Sequence, residues 1–188
     1  MWVLILGLVV FFVVHSVRMV AGGFREAQLA SAPGIWKGLY SLVSLAGFAL
    51  IIWGWILFRP DAPEIFEPPA WGRHAASLLV LVAFILLAAA NMPAGYIKKW
   101  VRHPMLVGVM LWALGHLLAN GDLASLLLFG SFLVYSAVNR VAVIPRGDPA
   151  PSVLRPRSDL VAVLAGAVLY ALFAFWLHGV LFGTAPFG

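Results

Sequence analysis

The chain contains no cysteine, so disulfides, thiolate metal ligands and cysteine nucleophiles are all excluded. Charged residues are also scarce, at 10% of the sequence, whereas hydrophobic residues make up 63%. Soluble domains have about 25% charged residues and at most about half apolar residues. The composition therefore indicates an integral membrane protein with a lipid-facing surface.

Motifs of soluble enzymes are missing as well. There is no phosphate-binding glycine loop, no His-Glu-x-x-His and no pair of carboxylates inside an apolar run. In a soluble protein the net charge of +5 would suggest nucleic acid binding, but here the basic residues lie in short loops beside apolar runs. We therefore expect them to set the topology and to contact lipid headgroups, with no nucleic acid as partner.

Six apolar runs follow one another along the chain, and a membrane crossing needs about 20 such residues. Breaks rich in proline, glycine or charge separate the runs; Pro93 should kink or end the third helix, and Asn120-Gly121-Asp122 predicts a tight turn. The sequence thus predicts an all-α, polytopic membrane bundle that forms a single transmembrane domain over residues 1–188. The predicted transmembrane helices cover about residues 2–20, 35–58, 75–96, 104–119, 123–144 and 159–182.

The basic residues are distributed unevenly between the two sides of this bundle. Ten of the 12 lysines and arginines fall in the first, third and fifth loops, or beside them: Arg18, Arg25, Lys37, Lys98, Lys99, Arg102, Arg140, Arg146, Arg155 and Arg157. Only Arg59 and Arg73 fall on the opposite side. Because basic residues near helix ends are retained in the cytoplasm, both termini are predicted to lie outside.

Two local features predict details of the helices. Ser158 precedes Asp159 at the expected start of the sixth helix, so Ser158 is predicted to be its N-cap. Gly38, Gly47 and Gly54 recur in the second helix, where residues without a side chain permit close contact between helices. We expect these three glycines to have a packing role.

Histidines inside apolar helices are candidates for function, because polar groups in lipid are energetically costly. His15 lies in the first helix, with Arg18 one turn further along. His116 lies four residues after Trp112 and therefore on the same helix face, and His103 opens the fourth helix. Neutral imidazole is a suitable axial ligand for haem iron, and a helical bundle can enclose the macrocycle.

Each histidine also has a structural interpretation. His103 is equally explained as a residue that faces lipid headgroups, and His15 and His116 as imidazoles bonded to a backbone carbonyl or a neighbouring serine. His178 and His74 fit interfacial or packing positions. By their expected depth in the membrane, His15 pairs with His103 and His116 pairs with His178. His116 follows His103 by 13 helical residues, which places it roughly 20 Å further across the membrane.

Four segments carry a resemblance to a known family. They read Phe12-Val13-Val14-His15-Ser16, Arg102-His103-Pro104-Met105, Trp112-Ala113-Leu114-Gly115-His116 and Leu118-Ala119-Asn120-Gly121-Asp122-Leu123. The combination resembles the NnrU family of bacterial membrane proteins, which is linked to denitrification and is related to 15-cis-zeta-carotene isomerase. The resemblance extends over nearly the whole chain, and its most specific part is the block that ends at His116.

The resemblance implies a haem b held by His15 and His116, with His103 as the first substitute ligand. The implied cofactor-binding residues are His15, Arg18, His103, Trp112 and His116. The isomerase has a cysteine as an alternative iron ligand where this chain has Ala113, so a thiolate switch is not available here. The implied protein is a multi-pass protein of the bacterial inner membrane, with periplasmic termini. It would perform redox or isomerisation chemistry on a small or lipophilic substrate, with an electron-transfer protein as a further partner.

Two other classes of function compete with haem binding. Arg102-His103-Pro104-Met105-Leu106-Val107-Gly108 resembles the Arg-His-Pro-x-Tyr-x-Gly opening of membrane methyltransferases that bind S-adenosylmethionine. The chain departs from that pattern at Leu106 and lacks the paired glutamates, since it reads Asn139-Arg140-Val141-Ala142-Val143-Ile144 after the fifth helix. We therefore expect shared ancestry of the bundle without shared activity. The remaining alternative is a non-catalytic accessory subunit of the membrane.

Overall fold

The computed structural model describes residues 1–147, 151 and 153–187 of the chain. In this part of the protein the regular structure is helical, and the only strand-like feature is an isolated antiparallel bridge between Glu64 and Asp122. The α-helices are α1 (Trp2–Val20), α2 (Gly22–Ser31), α3 (Pro33–Phe58), α4 (Gly72–Ala90), α5 (Tyr96–Val101), α6 (Pro104–Ala119), α7 (Leu123–Val143), α8 (Pro156–Leu172) and α9 (His178–Phe182). Short 3₁₀ turns follow α3 and α7 (Arg59–Asp61 and Ile144–Arg146), and a π-helical turn, Phe173–Leu177, joins α8 to α9.

Within the part of the chain that the structure describes, five helical segments are long and apolar enough to cross a membrane. They are Trp2–Val20, Pro33–Asp61, Gly72–Ala90, Leu123–Val143 and Pro156–Phe182. Helix α6 is equally apolar but has 16 residues, which at the usual rise amount to about 24 Å against a hydrocarbon core of about 30 Å. The structure therefore confirms an all-α protein built from membrane-type helices.

Proline sets several helix boundaries. Helix α4 ends at Ala90, three residues before Pro93 and short of the predicted end near residue 96, and α6 begins with Pro104 at its first position. Between them lies the short helix α5, in a stretch that we expected to be the end of the third helix and a loop. Helix α2 likewise occupies a region expected to be a loop.

The predicted N-cap at Ser158 is wrong. Helix α8 begins three residues earlier than expected, with Arg155 as its N-cap and Pro156 at its first position. Proline is well suited to this position because it has no N–H to leave unbonded and its φ angle is already helical. Ser158 consequently lies inside the first turn, where its backbone N–H donates to the carbonyl of Arg155 over 2.9 Å.

The helices fall into two compact units: Met1–Ile65 with Asp122–Ser131, and Phe66–Gly121 with Phe132–Gly188. In the first unit, α1 and α3 pack as an antiparallel pair through glycines. A Cβ atom at Gly7 would lie 2.6 Å from the backbone nitrogen of Ile51, and one at Gly54 would overlap the backbone of Leu4. Gly47 makes the same kind of approach to α1, but a Cβ atom at Gly38 would meet nothing within 4 Å. The predicted packing role is therefore confirmed for Gly47 and Gly54 and wrong for Gly38.

In the second unit, α4 packs against α6 on one side and α8 on another. Gly108 and Gly115 of α6 face α4, and a Cβ atom at Gly115 would lie 3.3 Å from the carbonyl oxygen of Ala76. Gly166 of α8 lies against the backbone of Ile85 in α4. Small residues thus let α4 approach both neighbours closely, which is how helices gain packing energy without a hydrophobic driving force.

Candidate functional site

His15 lies near the end of α1, half-buried, in an aromatic setting. Its Nδ1 atom is 2.7 Å from the carbonyl oxygen of Phe11, one turn earlier in the helix. The Phe11 ring stacks on the imidazole at 4.0 Å between centroids, and the ring of Tyr40 in α3 lies 5.4 Å away. Because α1 and α3 run antiparallel, Tyr40 reaches His15 from the facing helix. Arg18, one turn beyond, is exposed in the last turn of α1.

His116 lies in the last turn of α6 and has a similar local arrangement. Its Nδ1 atom is 2.8 Å from the carbonyl oxygen of Trp112, and the two rings lie 5.1 Å apart. The indole of Trp112 in turn makes an edge contact with Phe132 of α7, at 5.6 Å. The amide of Asn120 donates to the carbonyl oxygen of His116 over 2.9 Å, which caps this end of α6.

The hydrogen bonds of His15 and His116 determine which ring nitrogen carries the proton. A carbonyl oxygen only accepts hydrogen bonds, so Nδ1 is the protonated nitrogen of the neutral ring in both residues. The lone pair then belongs to Nε2. Metal-binding histidines commonly have this arrangement, in which a backbone carbonyl orients the ring through one nitrogen and the other nitrogen coordinates.

His178 follows the π-helical turn Phe173–Leu177 and opens α9. Its Nδ1 atom lies 2.6 Å from the carbonyl oxygen of Thr184, so it too has its proton on Nδ1. It lies close enough to His116 for the two imidazoles to interact electrostatically. Single π-helical turns in α-helices occur frequently at functional sites. His178 is therefore a further candidate ligand, beside the interfacial or packing position predicted from the sequence.

His103 lies at the other end of α6, where it is the N-cap residue. With Arg102, Arg140, Val143 and Ile144 it lines a partly open pocket of about 290 Å³. Arg102 has a positive φ angle of 62° and is the centre of a γ-turn, in which the N–H of His103 donates to the carbonyl of Val101 over 2.7 Å. The pocket thus joins the start of α6 to the end of α7.

The predicted site residues fall into three places. Trp112 and His116 are in direct contact, and His103 lies 13 residues away at the opposite end of the same helix. His15 and Arg18 belong to the other compact unit. His74, expected at an interface, is exposed in the first turn of α4.

Asp122 is a buried residue that sequence reasoning assigned only to a turn. Its side chain is 2% exposed, and its two oxygens accept hydrogen bonds from the backbone N–H of Ser125 at 2.9 Å and from the Ser125 hydroxyl at 2.6 Å. The Nε atom of Arg59 lies 3.3 Å from the same carboxylate, and this guanidinium lies over the ring of Trp55. The spacing of Asp122 and Ser125 is the usual spacing of an N-cap and was the available signal.

Asp159, in the first turn of α8, has a contact with a distant helix. Its carboxylate accepts hydrogen bonds from the backbone N–H groups of Tyr96 and Ile97, at 2.7 and 3.1 Å. It therefore caps the N-terminus of α5, a helix more than 60 residues earlier in the chain. A Cβ atom at Gly95 would overlap this carboxylate, so glycine is required there for the contact.

Across the residues that the structure describes, no group of three or more histidine, aspartate and glutamate side chains is placed to hold a metal ion. Haem does not need such a group, because the macrocycle supplies four nitrogen ligands and the protein supplies one or two. The donors at His15, His116 and His178, each with the lone pair on Nε2, fit this requirement.

Comparison with known proteins gives one result that covers the chain. The family model described as NnrU protein matches residues 3–186 of the 188. No curated protein and no solved structure matches the chain.

Proposed function

The chain belongs to the NnrU family, and on that premise we propose that it is a haem b-binding protein of the bacterial inner membrane. Its chemistry would be linked to denitrification and nitric oxide metabolism, or to redox-dependent isomerisation of a lipophilic substrate. The observation that carries the proposal is the hydrogen bond from Nδ1 of His116 to the carbonyl of Trp112, which leaves the lone pair on Nε2.

The proposal includes a topology. We propose six membrane crossings with both termini in the periplasm: the five long apolar helical segments and the shorter helix α6, which is the fourth crossing in chain order. The distribution of lysine and arginine supports this orientation, since ten of the 12 lie in or beside the loops assigned to the cytoplasm. A helix of 16 residues can cross where neighbouring helices or local thinning of the bilayer reduce the thickness to be spanned.

The proposed iron ligands are His116 and His15. Both rings are oriented by a carbonyl one turn earlier, and both have an aromatic neighbour that restricts their rotation: Trp112 for His116, and Phe11 for His15. A bound haem would supply an iron that cycles between the ferric and ferrous states. The residues of the chain would orient the two imidazoles and exclude water with apolar and aromatic side chains.

A second pairing, His116 with His178, is favoured by one observation. These two imidazoles belong to the same compact unit and lie within range of electrostatic interaction. His116 is common to both pairings, so the proposal depends on it most. His103, the substitute ligand suggested by the sequence, lies at the far end of α6 from His116.

Absorption spectroscopy of the purified protein tests the proposal. We expect a Soret band that shifts on reduction, and we expect His116→Ala to abolish or strongly change it. His15→Ala and His178→Ala identify the second iron ligand. Only the substitution that removes this ligand should change the haem spectrum relative to that of the wild-type protein. His74→Ala is the matched control, since His74 is exposed at the start of α4.

A folded, purified sample that stays colourless after incubation with haem would refute haem binding. If such a sample instead binds labelled S-adenosylmethionine, the methyltransferase alternative takes its place. A sample that binds neither would leave the accessory subunit. If haem is bound, the spectrum of the wild-type protein with an added substrate or electron donor would define the partners of the haem.

A further inference from the structure

The pocket at the start of α6 has a consistently basic character. Among the residues that the structure describes, its lining contains the guanidinium groups of Arg102 and Arg140 and the imidazole of His103, and no acidic residue. Neither arginine forms an ion pair with any residue that the structure describes. Two like charges that line one pocket repel each other, so an anion bound between them would stabilise the arrangement.

Local structure holds the two arginines at this pocket. Arg140 lies in the last turn of α7 and is half-buried. Arg102 follows α5 and adopts φ 62° and ψ −55°, a conformation that costs a residue with a side chain on the order of 1–3 kcal/mol. Asp159 caps the other end of α5 and thereby fixes the helix that leads to Arg102.

The remaining lining indicates the kind of anion. The N-terminus of α6, a helix of 16 residues, adds the positive end of a helix dipole beside His103. Val143 and Ile144 provide an apolar wall next to the charged groups. Guanidinium groups recognise the several oxygens of a phosphate, and an apolar wall beside them suits the glycerol and upper acyl region of a phospholipid.

We propose that this pocket binds a phosphate group, supplied by the headgroup of an anionic phospholipid or by a soluble phosphate. Of the histidines considered as iron ligands, His15, His116 and His178 do not line this pocket, and only the substitute ligand His103 does. Basic pockets between membrane helices bind anionic headgroups in this way. Arg102 and Arg140 would contact the phosphate oxygens directly, and His103 would contact the same group from the start of α6.

Thermal unfolding of the purified protein in phosphatidylcholine-containing micelles, followed by tryptophan fluorescence, tests this proposal. Short-chain phosphatidylglycerol should raise the unfolding midpoint in a saturable way, because a ligand that binds only the folded state stabilises it. Arg102→Gln/Arg140→Gln should weaken the apparent affinity roughly tenfold or more. Lys99→Gln/Arg157→Gln removes the same charge outside the pocket and should leave the affinity unchanged.

Inorganic phosphate distinguishes the two sources. A saturable shift with both ligands supports a site for phosphate in general, and a shift with the lipid alone supports a headgroup site. If the double variant fails to fold, Arg140→Lys serves instead; it keeps the charge but loses the two-pronged contact, and it should still weaken binding. The proposal is overturned if wild-type protein shows no saturable shift with either ligand, or if the control double variant loses as much affinity as the pocket variant.

Discussion

Asp122→Ala should destabilise the protein more than any other single loss of a charged side chain described above. The carboxylate is 2% exposed and has three partners: the backbone N–H of Ser125, the hydroxyl of Ser125 and the guanidinium of Arg59. Alanine provides none of these contacts. The substitution removes the N-cap of α7 and leaves the Ser125 hydroxyl buried without its acceptor.

The size of the effect follows from the exposure of each partner. Loss of an N-cap costs about 1 kcal/mol. Ser125 is fully buried, so leaving its hydroxyl unsatisfied costs about 1–3 kcal/mol. Arg59 is 40% exposed and can be solvated, so loss of the ion pair costs about 0–1 kcal/mol. We expect a total of about 3 kcal/mol.

Unfolding in mixed micelles titrated with sodium dodecyl sulfate measures this free energy. Arg59→Gln should cost no more than about 1 kcal/mol, because it removes only the solvated partner. Asp122→Asn should be intermediate, since its amide oxygen can still accept from the Ser125 N–H. The reasoning fails if Asp122→Ala changes the free energy of unfolding by less than about 0.5 kcal/mol, or if Arg59→Gln costs as much as Asp122→Ala.

Two further predictions concern helix packing and capping. Gly54→Ala should lower the free energy of unfolding by about 1–3 kcal/mol, because the new methyl group would overlap the backbone of α1; Gly38→Ala, in the same helix but with open space around it, should be neutral or stabilise by up to about 1 kcal/mol. Equal effects of the two glycine substitutions would contradict the packing argument. Asp159→Ala should accelerate hydrogen exchange at the Tyr96 amide at least tenfold, because it removes the carboxylate that accepts from this N–H. Ser158→Ala should leave that exchange rate unchanged, and an equal acceleration would show that the effect comes from α8 as a whole.

The histidines of the candidate site could be predicted from local sequence, whereas the basic pocket could not. His15 and His116 were identified because each is an imidazole in an apolar helix, and their hydrogen bonds to carbonyls one turn earlier are a local property of a helix. The basic pocket was not predicted, because it requires Arg140 to meet Arg102, which lies 38 residues earlier. No local pattern indicates such a meeting.

The sequence by itself determined that this protein is all-helical and membrane-like. Long apolar runs must satisfy their backbone hydrogen bonds internally, and proline and glycine interrupt them at fixed places, as Pro93 and Pro104 do. Only the tertiary structure decided what the polar side chains contact. Asp159 caps α5 rather than its own helix, Asp122 is buried against Arg59, and Gly54 touches α1 whereas Gly38 does not. Hydropathy defines which segments are helices, but the face that each helix turns toward its neighbours depends on packing among distant residues, which no single segment encodes.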